Sequence, residues 1–237
     1  MGSSDAGVLR RLIHLMYPDN IYCMRCGDTI DPSRIHGLCD VCIREIPWAP
    51  ENPFRSYMDE FAFDDVWPVA RYGAHVRGMI HALKLHGQTY IAANLGKLLA
   101  ERVRLAAAPY DLITAVPLHR EKQKRRGYNQ AALLAEYAAG ELGAPYRADL
   151  LEKRRATGSM RLADSRTRRQ MLAEAFRVPD RSRSAAAGRH LLLVDDVCTT
   201  GSTADACARA LKEAGAARVT LLCFAVSAGY RKGEDSG

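Results

Sequence analysis

The chain has 237 residues, of which 48% are hydrophobic and 26% charged, the composition of an ordinary globular protein. Its 18 Gly and 10 Pro are too few for a collagen-like chain, and its apolar content is too high for a disordered one. No apolar run approaches the ~20 residues that span a bilayer, so membrane insertion is not expected and the protein reads as cytoplasmic. The opening MGSSDAGVLRRLIHLMYP lacks the layout of a secretory signal, and Ala6 stands where a myristoylation motif requires Ser or Thr. Thirty-four Lys and Arg against 27 Asp and Glu give a net charge of +7. Residues 1–100 contribute −1 and residues 101–237 contribute +8, concentrated at Arg120 to Arg126 and at Arg147 to Arg189. Such clusters attract polyanions, either nucleic acid or small phosphorylated ligands, and a plain solvated face is the competing reading.

In chain order, Val8, Leu12 and Leu15 give residues 8–17 the spacing of a short amphipathic helix. Next come Cys23-x2-Cys26, a twelve-residue spacer and Cys39-x2-Cys42. Each CxxC knuckle can hold one edge of a tetrahedral metal, so a structural zinc is expected, closed to substrate because all four ligands are Cys. Disulfides are disfavoured in a cytosolic chain, and a redox CxxC would need only one pair. His36 is read as a loop residue or a substitute ligand, and Cys198, Cys207 and Cys223 as small core residues. Residues 48–64, aromatic and interrupted by Pro, read as a linker that packs onto the unit after it.

From Val66 onward strand and helix alternate. Val66 to Tyr72 is strand-like, and Val76, Met79, Ile80 and Leu83 fall at helical spacing. Asn94 is a candidate cap for a helix through Arg104, and Asp111 to Pro117 is an apolar strand ending in a turn. Asn129 caps a helix to Leu142 that closes at Gly143. Residues 146–178 carry the densest Arg run and read as a long mobile loop or hairpin. His190 to Val194 is a buried strand, residues 203–214 a helix, and Arg218 to Val226 a last strand. This order predicts an α/β fold: a mostly parallel, doubly wound sheet preceded by a small zinc-ribbon-like module. The expected divisions are 1–47 for helix and zinc module, 48–65 for a linker or hood, 66–227 for the α/β domain and 228–237 for a flexible tail.

Within Leu191-Leu-Leu-Val-Asp-Asp-Val-Cys-Thr-Thr-Gly-Ser-Thr203, an apolar strand delivers Asp195 and Asp196 at its C-terminal end. In an open parallel sheet, ligands bind at that end. Thr199, Thr200, Gly201, Ser202 and Thr203 then offer hydroxyls and backbone N–H groups at a helix start, a cradle for phosphate. Ser202 and Asp205 have the spacing of a capping box. Carboxylates beside a phosphate suit sugar hydroxyls or a bridging divalent cation, so the set points to ribose 5-phosphate with Mg2+. An ordinary strand-to-helix turn with Asp caps is the bland alternative, and no Walker loop is present.

Residues 191–203 resemble the phosphoribosyl-pyrophosphate (PRPP) signature of the type I phosphoribosyltransferases. Ala82-Leu-Lys84 with Gly87, Val116-Pro-Leu-His119, Arg126-Gly-Tyr-Asn129-Gln130 and the four-Cys module resemble the ComF family, whose members are linked to DNA uptake. The resemblance covers about residues 20–227. It implies that Asp195 and Asp196 contact the ribose hydroxyls of PRPP and that Thr199 to Thr203 hold its 5′-phosphate. Leu118, His119 and Arg120 take the place of the pyrophosphate loop, and Lys84 joins the PRPP-binding set. Arg120, Lys122, Lys124, Arg125 and Arg126 would neutralise the leaving group, and residues 153–169 correspond to a loop closing over the centre. Met160 and Met171 depart from the family's Gln and Asn near those places. Gly2 follows Met1, where a glutamine amidotransferase would need its Cys nucleophile, so that activity is not expected. The readings are thus a Mg-dependent phosphoribosyltransferase or a PRPP-, nucleotide- or single-stranded-DNA-binding accessory of DNA uptake, with a purely structural scaffold third. Uptake proteins are candidate partners, and oligomeric state and acceptor stay open.

Overall fold

The computed structural model describes residues 21–49, 51–84, 90–154 and 175–227. The expected helix at 8–17, Gly87, Met160, Met171, most of the Arg-rich stretch and the tail from 228 lie outside these residues. The chain forms two compact units, Met1–Ile46 and Pro47–Gly237.

In the first unit, a tight turn returns the chain after Cys23. Gly27 adopts a left-handed φ of 81°, and its N–H donates to Cys23 O. Tyr22 bridges Thr29 in antiparallel fashion, and Met24 N–H donates to Gly37 O. Helix α1, Asp40–Arg44, starts at Cys39 as its N-cap. Cys23, Met24, Ile30, Leu38, Cys42 and Ile46 form a small buried centre, and Arg25–Glu45 and Arg34–Asp40 pair at the surface.

The second unit is built on a four-stranded parallel sheet in the order β1-β6-β5-β2. Its strands are β1 (Asp65–Arg71), β2 (Leu112–Ala115), β5 (His190–Cys198) and β6 (Arg218–Val226). Leu191 to Val194 and Leu221 to Ala225 have no exposed surface, which explains their unbroken apolar sequence. Residues 47–49 lie antiparallel along β1, with Ala49 N–H donating to Val69 O and Arg71 N–H to Pro47 O. The segment 48–64 therefore supplies an edge strip and, at Arg55–Glu60, a 3-10 helix.

Helices α2 (Ala74–Leu83) and α3 (Tyr90–Ala106) follow β1, and α4 (Arg120–Arg126) and α5 (Gln130–Leu142) follow β2. Asn129 caps α5 and left-handed Gly143 closes it, the expected design. Asn94 is not a cap. It lies inside α3 and is buried, because the apolar face of that helix continues through Ile91 and Ala92. Residues 120–126, which carry no apolar stripe to announce a helix, are helical: Arg, Lys, Gln and Glu are good helix formers, and left-handed Gly127 stops the run. The ends of the stretch 146–178 pair as antiparallel β3 (Glu152–Lys153) and β4 (Phe176–Arg177). The short helix α6 (Arg183–Ala186) precedes β5, and α7 (Ser202–Glu213) links β5 to β6 and also packs on β4.

Helices α3 and α5 pack against each other where Gly96 faces Tyr137. A Cβ on Gly96 would fall 2.4 Å from Tyr137 Cβ and 3.2 Å from Ala138 N. Gly96→Ala should therefore push the helices apart and destabilise the protein by about 2 kcal/mol. In a thermal melt that is a fall of roughly 4–8 °C; an unchanged melt would show the crossing to be loose.

Candidate functional site

Strand β5 outlasts its neighbour. Ala115, the last residue of β2, pairs with Val194, so Asp195 to Cys198 run past β2 towards the connection that begins at Val116. Val116 N–H still donates to Val194 O at 2.9 Å, which brings the start of that connection beside the acids. Asp195 remains in register with Cys223 of β6. Both acids belong to the strand, and successive strand side chains point to opposite faces.

Their surroundings differ accordingly. Asp195 lies within electrostatic reach of the buried thiols of Cys198, Cys207 and Cys223. Burial, and then the neighbouring Asp196, hold its carboxyl well above the usual carboxylate range. Asp196, whose side chain is 17% exposed, forms an ion pair with Lys84, its Oδ2 3.0 Å from Nζ. Each carboxylate also accepts the next residue's N–H, Asp196 at 2.8 Å and Val197 at 2.9 Å, which limits rotation of both side chains.

The turn after β5 is braced from below. Gly201 has φ 77°, and a Cβ there would lie 3.0 Å from Phe61 and 3.5 Å from Phe63. Phe61 and Phe63 stack at 4.6 Å, and Phe54 meets both edge-on. Glycine is thus needed twice, for its backbone and for the aromatic wall. The capping box expected from Ser202 and Asp205 does not form. Gly201 is the N-cap of α7 and Ser202 its first residue. Asp205 instead accepts Ala62 N–H at 2.7 Å and Arg209 at 3.0 Å, because the 61–63 segment reaches it first. The start of α7 therefore has no side-chain cap, and Thr200 and Ser202 share a hydroxyl contact of 2.9 Å beside it. Ser202 N–H donates to Thr200 Oγ1 at 3.4 Å, a long contact that an anion at such a helix start could replace.

The remaining predicted residues fall around this edge. Leu118 precedes α4, His119 is its N-cap with Nδ1 accepting Glu121 N–H at 3.4 Å, and Arg120 is its first residue. No side chain of α4 is buried, so Arg120, Lys122, Lys124 and Arg125 are exposed. Arg126 turns back to donate to Gln130 Oε1 at 3.0 Å. Thr199 and Thr200 are exposed on the turn, and Thr203 is the second residue of α7. The direct side-chain meetings within the predicted set are Lys84 with Asp196 and Thr200 with Ser202.

Other residues take part that were given no place in the site, although Tyr128 and Asn129 lie in the Arg126-Gly-Tyr-Asn-Gln130 motif. Tyr128 donates its hydroxyl to Leu83 O at 2.7 Å, which fixes the end of α2 and the base of Lys84. Asn129 caps α5 while its Nδ2 donates to Val116 O at 2.9 Å, tying that helix to the connection after β2. Lys153, at the end of β3, is half-buried with Nζ 5.0 Å from the centre of the Phe176 ring. Burial lowers its pKa, and Lys122 and Asp195 are among the charges acting on it. The paired aromatics Phe61-x-Phe63 and the single lysine after Glu152 were the available signals.

In the first unit, the sulfurs of Cys23, Cys26, Cys39 and Cys42 all lie within 4.8 Å of one another, and those of Cys26 and Cys39 are 3.9 Å apart. A tetrahedral ion with bonds of about 2.3 Å to sulfur places the sulfurs roughly 3.8 Å apart, so the cluster could hold such an ion. Cys39 N–H donates to Cys23 Sγ and Cys42 N–H to Cys39 Sγ, both at 3.4 Å. Burial pushes the Cys23 thiol up, but N–H groups of Cys26, Cys39 and Arg25 outweigh it and bring it to about 7.

A parallel sheet with an acid pair and an uncapped helix start beyond its central strand is the arrangement of the phosphoribosyltransferase class. A phosphoribosyl transferase domain matches residues 129–236. DNA utilization protein YhgH of Escherichia coli strain K12 is 31% identical over 212 residues, covering 87% of this chain and 84% of that protein. Competence protein F of Haemophilus influenzae is 29% identical over 205 residues, 84% of this chain and 82% of the relative. Competence protein ComFC of Bacillus subtilis strain 168 is 34% identical over 106 residues, 45% and 40% of the two chains. With the four-Cys cluster, these relatives place the chain in the ComF family.

The raised Asp195 has a consequence for stability. The folded protein holds this proton more tightly than the unfolded chain, so stability falls as pH rises from the ordinary carboxylate range through the raised value. Asp195→Asn should remove that loss and melt about 2–4 °C above wild type at pH 8, a difference of roughly 1 kcal/mol. At pH 4 the two should melt together; equal melts at both values would show Asp195 to be solvated.

Proposed function

We propose that the chain binds PRPP with Mg2+ at the C-terminal edge of its sheet and acts as a phosphoribosyltransferase. The observation that carries this reading is the junction of two unlike carboxylates on β5 with the uncapped start of α7. A phosphate would be held by the N–H groups and hydroxyls of Thr199 to Thr203, replacing the long contact from Ser202 N–H to Thr200 Oγ1. Asp195 and Asp196, at the end of β5, would supply carboxylate oxygens to the hydroxyls of the neighbouring sugar.

The carboxylate oxygens are the hard donors that Mg2+ prefers, and the ammonium of Lys84 beside Asp196 marks a place where positive charge is already accepted. When bound there, Mg2+ supplies neutralisation of the diphosphate charge. Lys84, Arg120 and Arg126 would carry the rest of that neutralisation, helped by the exposed cations of α4. Bond breaking at C1 of the ribose builds positive charge on the sugar and negative charge on the departing diphosphate. Such a reaction needs fixed charges and exclusion of water more than a protein nucleophile.

The four Cys would hold a structural zinc, closed to substrate by its full thiolate shell. Because Cys42 is buried at the centre of that cluster, Cys42→Ser should drop the metal content from one zinc per chain to well below half. It should also open Arg34 and Arg44 to trypsin; retained zinc and unchanged digestion would place the metal elsewhere.

A second reading rests on α4, which buries nothing and presents Arg120, Lys122, Lys124 and Arg125 to solvent. A single-stranded nucleic acid could follow that row without turnover, in keeping with the DNA-utilization and competence names of the relatives. Calorimetry with PRPP and Mg2+ tests the first reading. The double variant Asp195→Asn/Asp196→Asn should bind about a hundredfold more weakly, or ~2.7 kcal/mol. Unchanged affinity would refute the assignment. Pyrophosphate release with candidate acceptors separates turnover from binding, and salt-sensitive DNA binding without release would favour the second reading.

A further inference from the structure

Lys84 is the C-cap of α2, and its backbone N–H donates to carbonyls of that helix. Tyr128 holds the preceding carbonyl, Leu83 O, from the loop between α4 and α5. The base of the lysine is therefore fixed while its side chain stays 34% exposed, so the ammonium can leave Asp196 without repacking the core. The ammonium now lies against Asp196 Oδ2, one of the oxygens a divalent cation would use.

Two positive charges cannot share Oδ2 at contact distance, so Lys84 and a divalent cation exclude each other at Asp196. An anion with several charges changes the balance, because it can take the ammonium itself. On these grounds we infer that Lys84 is an exchangeable counter-ion: it shields Asp196 from a free divalent cation and yields when a polyphosphate draws its ammonium away. Cation and polyphosphate then bind as a linked pair, each raising the affinity of the other by the same factor. The inference deepens the PRPP reading and rests on the same site. It also joins the Ala82-Leu-Lys84 segment to Tyr128, since the Tyr128 hydroxyl sets where the lysine starts and Asp196 sets where it rests.

Each half of the exchange can be tested with one ligand on the full, zinc-loaded chain. In the first arm, Mn2+ alone is titrated and free ion is followed by electron paramagnetic resonance. Lys84→Met should bind Mn2+ about tenfold more tightly than wild type, within the usual range of coupling between sites. Lys84→Arg, which keeps the charge, should match wild type, and Asp196→Asn added to Lys84→Met should abolish the gain. In the second arm, inorganic pyrophosphate is titrated in divalent-free buffer, where Lys84→Met should bind about tenfold more weakly. Circular dichroism and a melt confirm that each variant is folded. Unchanged Mn2+ affinity in Lys84→Met, a gain that survives Asp196→Asn, or equal pyrophosphate binding would each overturn the exchange. A wild-type chain that obeys both arms yet takes up no PRPP would support the exchange and remove the function proposed above.

Discussion

The carboxyl of Asp195 sits on a central strand, within reach of three buried thiols and next to a second acid, surroundings that oppose its ionisation. A buried acid beside another acid is destabilising unless protons or cations accompany it. The surrounding segments meet that demand. Lys84 comes from the end of α2 and pairs with Asp196, and Lys153 comes from β3 with Asp195 among the charges acting on it. Two segments far apart in sequence thus converge on one strand end because the charge there requires them. The offset of β5 past β2 creates that demand, since it carries the acids beyond the last backbone pairing on one side while β6 still holds them on the other.

The segment that brings Lys84 is itself held by a hydrogen bond from a short stretch that also ties its neighbours together. In Arg126-Gly-Tyr-Asn-Gln130, Gly127 ends α4 in a left-handed turn and Tyr128 secures the end of α2. Asn129 starts α5 and reaches Val116, and Gln130 accepts from Arg126. Five consecutive residues thereby fix the relative positions of α2, α4, α5 and the connection after β2. The role is positional: through Leu83 it determines where Lys84 can reach. Phe61 and Ala62 do the same for the turn after β5, one by packing on Gly201 and the other by engaging Asp205.

Much of this was legible in the sequence. The apolar run Leu191 to Val194 announced a strand buried on both faces, and the acids and hydroxyls after it marked its exit. Asn129 and Gly143 delimited their helix by local chemistry alone. The failures share a cause. Asn94 and the Ser202–Asp205 pair were given cap roles that local spacing allows, but tertiary partners decided otherwise. Asn94 was drawn into a helix by the apolar residues around it, and Asp205 was taken by an amide 143 residues distant in sequence. Residues 120–126 were assigned no helix because they carry no apolar stripe, yet a helix lying wholly on the surface needs none. Tyr128 and Lys153 could not be singled out, because their importance lies in partners that only the folded chain supplies.

The two units solve the same problem by different means. The first has too few apolar residues for a core of ordinary size, and its buried centre consists of a handful of side chains around sulfur. Four thiols within mutual reach are unfavourable as bare thiolates and favourable around an ion, so under the zinc proposal order in that unit would depend on metal. The second unit has a full core and can hold an arrangement at its rim that does not favour its own stability. There two neighbouring acids lie at the strand end, one held above the usual carboxylate range by its surroundings and the other paired to Lys84. Under the proposed reading, the unfavourable energy of that rim in the free protein is what a charged ligand would relieve on binding. Affinity there would come from charges already set in place by the sheet, with little rearrangement required of the ligand.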